Sequence, residues 1–201
     1  SWTLRHFAAE SFCNTVPNST LVRDRNPSSR EIMGAIGWDR YNAEYWYKLA
    51  QARARESAEA VIGLAGVTEP LERAVLLNPF APVYFLKLGW AYTRRGHEPD
   101  FAEKWLPKAD RAMDLAGLYS GARDPGLQQD VADYWLMRSM TLKPDTEPWD
   151  AAFEKTGKHY RSALDLETGK KRKKLLDEIR RFIGEYYPDE EMFERIVRSE
   201  G

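Results

Sequence analysis

A segment of this chain repeats 39 residues further on, and a chain built that way has few folds open to it. Ala35-Ile36-Gly37-Trp38-Asp39-Arg40 aligns with Ala74-Val75-Leu76-Leu77-Asn78-Pro79. Carried forward at the same offset, Tyr45 falls on Tyr84, Trp46 on Phe85, Lys48 on Lys87, Leu49 on Leu88 and Ala50 on Gly89. Bulky and small residues therefore recur in register. A repeated unit buries its apolar face against the next copy, so the expected architecture is a stack of like units.

The units read as helical. Ala, Leu, Glu, Lys and Arg dominate between Gly and Pro punctuation, and β-branched runs of period two are nearly missing, so the fold class expected is all-α. With 43% hydrophobic and 30% charged residues in 201, a packed core is within reach and global disorder is not expected. Lys and Arg total 30 against 31 Asp and Glu, a net charge of −1, so no overall field draws nucleic acid. Cys13 is the single cysteine, which leaves no internal disulfide, CxxC pair or cysteine-based zinc site. The longest uncharged apolar stretch, residues 60–67, is far short of the roughly 20 residues of a membrane span. The chain begins at Ser1-Trp2 without a basic-then-apolar leader, so no export signal is expected as it stands.

The second copy, Phe85-x2-Leu88-Gly89-x2-Tyr92-x3-Gly96, has the W-x2-L-G-x2-Y spacing of a tetratricopeptide repeat with Phe for Trp. The first keeps Trp46-x2-Leu49-Ala50 but carries Arg53 where the Tyr belongs. The chain thus resembles the tetratricopeptide repeat family. That resemblance implies a right-handed solenoid of antiparallel helix pairs, with Ala50, Gly89, Ala74 and Ala112 allowing close approach. Trp46, Phe85, Leu49 and Leu88 would fill the space between, and Pro79 would stop the second helix. The family repeats about every 34 residues, with about 19 between the small residue of helix one and that of helix two. Here the small residues of paired helices are 24 apart at Ala50 and Ala74, 23 at Gly89 and Ala112, and 24 at Ser139 and Ala163. Longer helices or turns are therefore expected throughout.

Helices are predicted at 2–13, 28–38, 42–63, 68–77, 81–95, 100–116, 126–142, 148–166, 168–186 and 189–198, with an extended crossing loop at 14–27, a break at 143–148 and a loop at 120–126. Residues 1–166 read as the repeat region, clearest at 42–79 and 81–116, and 167–201 as a C-terminal cap. In the cap Leu175, Leu176, Ile179, Phe182, Ile183 and Tyr186 form one apolar stripe with a charged back.

No catalytic chemistry announces itself. HExxH, GxSxG, GxGxxG and GxxxxGK[ST] are missing, and His6, His97 and His159 lack neighbours at metal-ligand spacing, so neither catalytic residues, metal nor cofactor is expected. Asp100 is expected to cap the helix after it. Lys170-Lys171-Arg172-Lys173-Lys174 is the strongest charge run. It reads as exposed first turns of a helix, with contact to acidic headgroups, nucleic acid or an acidic partner as the alternative. Asn18-Ser19-Thr20 fits a glycosylation acceptor.

The repeat resemblance implies a groove lined by the first helix of each pair. Counted from Ala43 and Pro82, the groove-facing set is Tyr47, Gln51 and Arg55, then Leu86, Trp90 and Arg94. Arg beside Tyr and Trp suits a peptide carboxylate or a stacked ring. The chaperone-tail clamp of some members needs Lys and Asn where this chain has Tyr47, Leu86, Gln51 and Trp90, so that role is not expected. The stretches Asn14 to Thr20, Asn42 to Ala50, Leu77 to Phe80 and Leu88 to Tyr92 also resemble repeat-bearing tails of bacterial O-antigen ligase or polymerase-like membrane proteins. That similarity implies the extracytoplasmic side of an envelope, beside polysaccharide assembly. The expected function is a non-catalytic scaffold for a protein or peptide partner. The rivals are a glycan-associated module and an enzyme with a helical shell that holds an acid in a deep cleft.

Overall fold

The computed structural model describes residues 26–59, 65–96, 102–187 and 190–198. The predicted helix 2–13, nearly all of segment 14–27, His97 and Asp100 lie outside the described residues. Within them the chain forms nine α-helices and no strand: α1 Ser29–Trp38, α2 Ala43–Glu59, α3 Ala65–Leu77, α4 Pro82–Gly96, α5 Ala102–Ser120, α6 Pro125–Ser139, α7 Glu147–Asp165, α8 Gly169–Tyr186 and α9 Glu190–Arg198. The protein is all-α. A short 3-10 turn, Gly121–Arg123, separates α5 from α6 in the predicted loop.

Local chemistry sets these ends. Ser28 and Glu31 close a reciprocal capping box at α1. Asp124 accepts from the Leu127 amide at 3.0 Å and Pro125 opens α6 with its fixed φ. The chain leaves α6 three residues earlier than predicted, because the Thr141 and Leu142 amides turn back to Arg138 and Ser139. Helix α3 starts three residues earlier than predicted and carries Pro70 inside it. Proline has no N–H for the carbonyl four residues back. That carbonyl belongs to Gly66, and Arg53 donates to it from Nη1 at 2.9 Å. Arg53, the departure from the repeat pattern, thus replaces the donor that Pro70 lacks.

The chain divides into two compact units, residues 1–112 and 113–201, with the division inside α5. In the first unit α1 packs on α2, α2 on α3 and α3 on α4. Residues 39 apart share a buried setting: Ala35 with Ala74, Tyr45 with Tyr84, Leu49 with Leu88, and Ala50 with Gly89. Tyr84 donates to Glu44 at 2.9 Å, tying α4 to α2, and Tyr92 donates to Glu72 at 2.7 Å, tying α4 to α3. Arg95 lies 3.8 Å over the Trp105 ring and donates to the buried Thr68 hydroxyl.

In the second unit α6 and α7 pair, and α8 and α9 pack on α7. One core joins Leu136 of α6 and Trp149, Phe153 and Tyr160 of α7 to Leu175, Ile179 and Ile183 of α8 and Phe193 and Ile196 of α9. The helices expected as a cap therefore share their core with α6 and α7. Ser139 and Ala163 are both fully buried in this unit.

Gly157 and Gly184 test this packing in opposite directions. A Cβ at Gly157 would stand 2.6 Å from the Ile196 carbonyl oxygen, whereas one at Gly184 meets nothing within 4 Å. Gly157→Ala should cost about 1–3 kcal/mol by overpacking, and Gly184→Ala should gain about 0.5–1 kcal/mol through helix propensity. Urea unfolding followed by circular dichroism checks both.

Candidate functional site

Helices α2, α3 and α4 enclose a cleft of about 360 Å³ in the first unit. Tyr47, Ala50, Gln51 and Ala54 face it from α2, at the three- and four-residue steps that share a helix face. Val67 and Leu71 face it from α3, and Lys87, Trp90, Ala91 and Arg94 from α4. Of the six residues predicted for the groove, Tyr47, Gln51, Trp90 and Arg94 meet here. Leu86 does not line the cleft; it is only 2% exposed, as an aliphatic side chain given apolar cover will be. Arg55 is exposed near the end of α2 and donates to the Pro27 carbonyl at 3.3 Å, so it too lies outside the cleft lining. Sequence reasoning missed Lys87, although it stands three and seven residues before Trp90 and Arg94 on the same helix face.

The cleft has an apolar floor and a cationic rim. Lys87 and Arg94 are its charged residues, and no carboxylate lines it among the described residues. The Tyr47 ring lies 4.9 Å from that of Tyr84, whose hydroxyl is held by Glu44. Burial raises the Tyr47 pKa, against the opposing effect of its bond with Gln51, so the phenol stays neutral and able to donate. The arrangement can hold an apolar group against Val67, Leu71 and Trp90 while Lys87 and Arg94 meet an anion. Among its described lining residues no nucleophile stands beside a base.

The second unit holds a differently built cleft of about 320 Å³ between α6 and α8. It is lined by Gln129, Asp133, Glu178, Arg181, Phe182 and Glu185. Burial lifts the Asp133 pKa to about 6, with Asp130 adding to the rise and the Tyr160 hydroxyl bond opposing it. That bond is 2.6 Å long and its donor is fully buried, so Asp133 already serves as the acceptor for a core tyrosine.

A buried polar network lies elsewhere in this unit. Gln128 bonds through its oxygen to His159 Nδ1 at 2.6 Å and donates to Ser120 Oγ and the Gly121 carbonyl. Because the Gln128 amide nitrogen is spent as a donor, its oxygen accepts, and the proton sits on Nδ1 of His159. Burial lowers the His159 pKa to about 4, helped by Lys158. Gly117 leaves the room: a Cβ there would come within 2.5 Å of the His159 ring. Among the described residues no group of three or more His, Cys, Asp or Glu is placed to hold a metal ion. No helix among them is long and apolar enough to cross a membrane.

No family model matches this chain, and no curated protein matches it.

Asp133 and His159 should oppose each other in the pH dependence of stability. The raised Asp133 pKa contributes stability that is complete below about pH 4 and lost as pH rises through about 6. The lowered His159 pKa contributes stability that is complete above about pH 6.5 and lost as pH falls toward about 4. Asp133→Asn should remove the Asp133 contribution alone. The difference in unfolding free energy between wild type and variant should then shrink by about 2 kcal/mol from pH 4 to pH 6. Urea titrations at several pH values measure it.

Proposed function

We propose that this chain is a non-catalytic scaffold of tetratricopeptide-like helix pairs that binds a peptide or protein partner in the α2–α3–α4 cleft. The observation that carries the reading is the convergence of Tyr47, Gln51, Trp90 and Arg94 on one cavity with an apolar floor. Large aromatic and arginine side chains in a partly desolvated recess are the residues that dominate binding energy at protein interfaces. The 39-residue correspondence of buried positions supports the solenoid reading, as do the Tyr84–Glu44 and Tyr92–Glu72 bonds between successive pairs. Lys87 and Arg94 favour a partner segment with a carboxylate beside an apolar side chain. Asp133 does not make this an enzyme in the proposed reading, because its carboxylate is engaged by Tyr160.

The aromatic pair also supports a second reading, a glycan-contacting module of an envelope polysaccharide assembly, since Tyr47 and Trp90 offer ring faces and Lys87 and Arg94 suit an acidic sugar.

Peptides selected from a random library on the intact chain test the first reading. Their affinity, measured by fluorescence anisotropy, should fall about thirtyfold or more in Trp90→Ala and in Arg94→Glu. Arg123→Glu, on the exposed turn between α5 and α6, should leave it unchanged. Failure to select any peptide, or undiminished affinity in both cleft variants, overturns the reading. Capture of acidic polysaccharide by wild type but not by Trp90→Ala, with no peptide selected, favours the glycan reading.

A further inference from the structure

Most residues lining the α2–α3–α4 cleft sit inside their helices, where main-chain N–H and C=O groups are spent on one another. Val67, in the first turn of α3, and Arg94, in the last turn of α4, are the exceptions. The neutral polar side chains of the lining are Tyr47 and Gln51, and these two are bonded to each other. An incoming main chain therefore finds almost no partners in the cleft, and amides buried there unpaired would weaken binding. A peptide meets such a recess through one side chain or its end. What the cleft does offer is hydrocarbon and positive charge. Ala50, Val67, Leu71 and Ala91 supply the first, beside the Trp90 ring.

The positive charge is not neutralised from within. Lys87 and Arg94 are exposed on α4 and make no ion pair among the described residues. Acids of the surrounding helices are engaged elsewhere: Glu44 accepts from Tyr84, Glu56 from the Ser29 amide and Glu72 from Tyr92. None of the three lines the cleft. The two cations stand two turns apart, about 10 Å along the helix axis. Their stems extend the apolar wall while their charged ends stay at the rim. The cleft volume, about 360 Å³, falls near the lower end for small-molecule sites, roughly 300–1,000 Å³. Its composition is theirs as well, mostly apolar with a few polar groups that fix orientation.

We propose that this cleft binds a free small organic acid, a hydrocarbon or aryl body ending in a carboxylate. The body fills the recess against Val67, Leu71 and Trp90. The carboxylate meets Arg94, whose guanidinium can pair with both oxygens, in the field of Lys87. A neutral analogue lacks the ionic contact, and an amine is repelled. The acid occupies the space that a partner's apolar, carboxylate-bearing group would take, so it displaces the partner and makes the scaffold responsive to a small metabolite. That competition rests on the scaffold reading; binding of the acid itself does not.

Isothermal titration calorimetry on the intact chain, with no peptide present, tests the binding. The probes are butanoate, hexanoate, octanoate and 3-phenylpropanoate. Hexanol and hexylamine carry the body of hexanoate without its charge or with the opposite one. Affinity should rise about fourfold per methylene from butanoate to octanoate, and neither control should match hexanoate. Lys87→Gln/Arg94→Gln should weaken octanoate about tenfold with no fall in melting temperature, since neither side chain holds another group. Arg94→Lys should lose less than Arg94→Gln, and Val67→Phe, which fills the recess, should weaken binding too. Octanoate should also release a selected peptide in the anisotropy assay. Peptides that bind the cleft while no acid does overturn the proposal and leave the scaffold reading standing. Acid binding that the cleft variants weaken, with no peptide selected, supports the acid site and removes the scaffold reading. Hexanol or hexylamine binding as tightly as hexanoate, or octanoate binding unchanged in the double variant, overturns the acid site. Octanoate and a cleft-dependent peptide bound together overturn the competition.

Discussion

Gly96, Gly117 and Gly157 stand where a neighbouring group comes within reach of the side chain they lack. The built Cβ positions fall 2.8 Å from the Leu106 side chain, 2.5 Å from the His159 ring and 2.6 Å from the Ile196 carbonyl oxygen. Close approach of neighbouring groups to the helix backbone at these glycines is the constraint on which the packing depends, because one more methyl group at each would push its neighbour away and forfeit dispersion contact. Fully buried alanines and serines extend the same device: Ala35, Ala74, Ala109, Ser139 and Ala163 are all at 0% exposure. Bulky residues occupy the space thus defined, with Leu49 and Leu136 likewise fully covered. Each unit is therefore a small-against-large fit rather than a generic apolar cluster.

Hydrogen bonds from tyrosine to carboxylate refine the fit. Tyr84 to Glu44, Tyr92 to Glu72 and Tyr160 to Asp133 each join two helices, and each places an apolar ring in the core with its polar tip satisfied at the edge. Burial and the carboxylate partner raise the pKa of all three phenols, so they remain donors over the physiological range. In the first unit the Glu44 bond and the Tyr47–Tyr84 ring contact together fix α4 against α2. That fixed spacing gives the cleft walls their separation, so binding chemistry and packing chemistry draw on neighbouring residues of the same helices.

Helix class and most helix bounds were legible in the sequence, because Gly and Pro punctuation and capping residues act locally. Asp124-Pro125 and Asn78-Pro79 mark their boundaries by side-chain bonds and by the missing proline N–H. The start of α3 was less legible. Pro70 fits the first turn of the helix predicted at 68–77, and the earlier start at Ala65 depends on Arg53, 13 residues upstream of Gly66, donating to the carbonyl that Pro70 leaves without a partner. In the cleft, Tyr47, Gln51, Trp90 and Arg94 followed from the groove register that the repeat resemblance implies, with helical periodicity putting each set on one face. Leu86 was misplaced because a helical wheel gives direction but not cover, and its cover depends on tertiary packing. Val67 and Leu71 could not be placed, since they come from a helix whose approach angle no local signal encodes.

The charge pattern makes the same distinction from the other side. Paired charges such as Lys155 with Asp114 at 2.7 Å accompany local packing, here with the Lys155 ammonium 3.9 Å over the Trp135 ring. Such a pair is explained by its own surroundings. The run at Lys170–Lys174 is not: the helix dipole opposes it, and its members repel one another. Folding of α8 is secured instead by Leu175, Ile179 and Ile183, which begin just after the run and bury one face of the helix. The apolar face stabilises the helix strongly enough for the first turn to carry an unfavourable charge density. Fold and surface charge can thus vary separately along one helix.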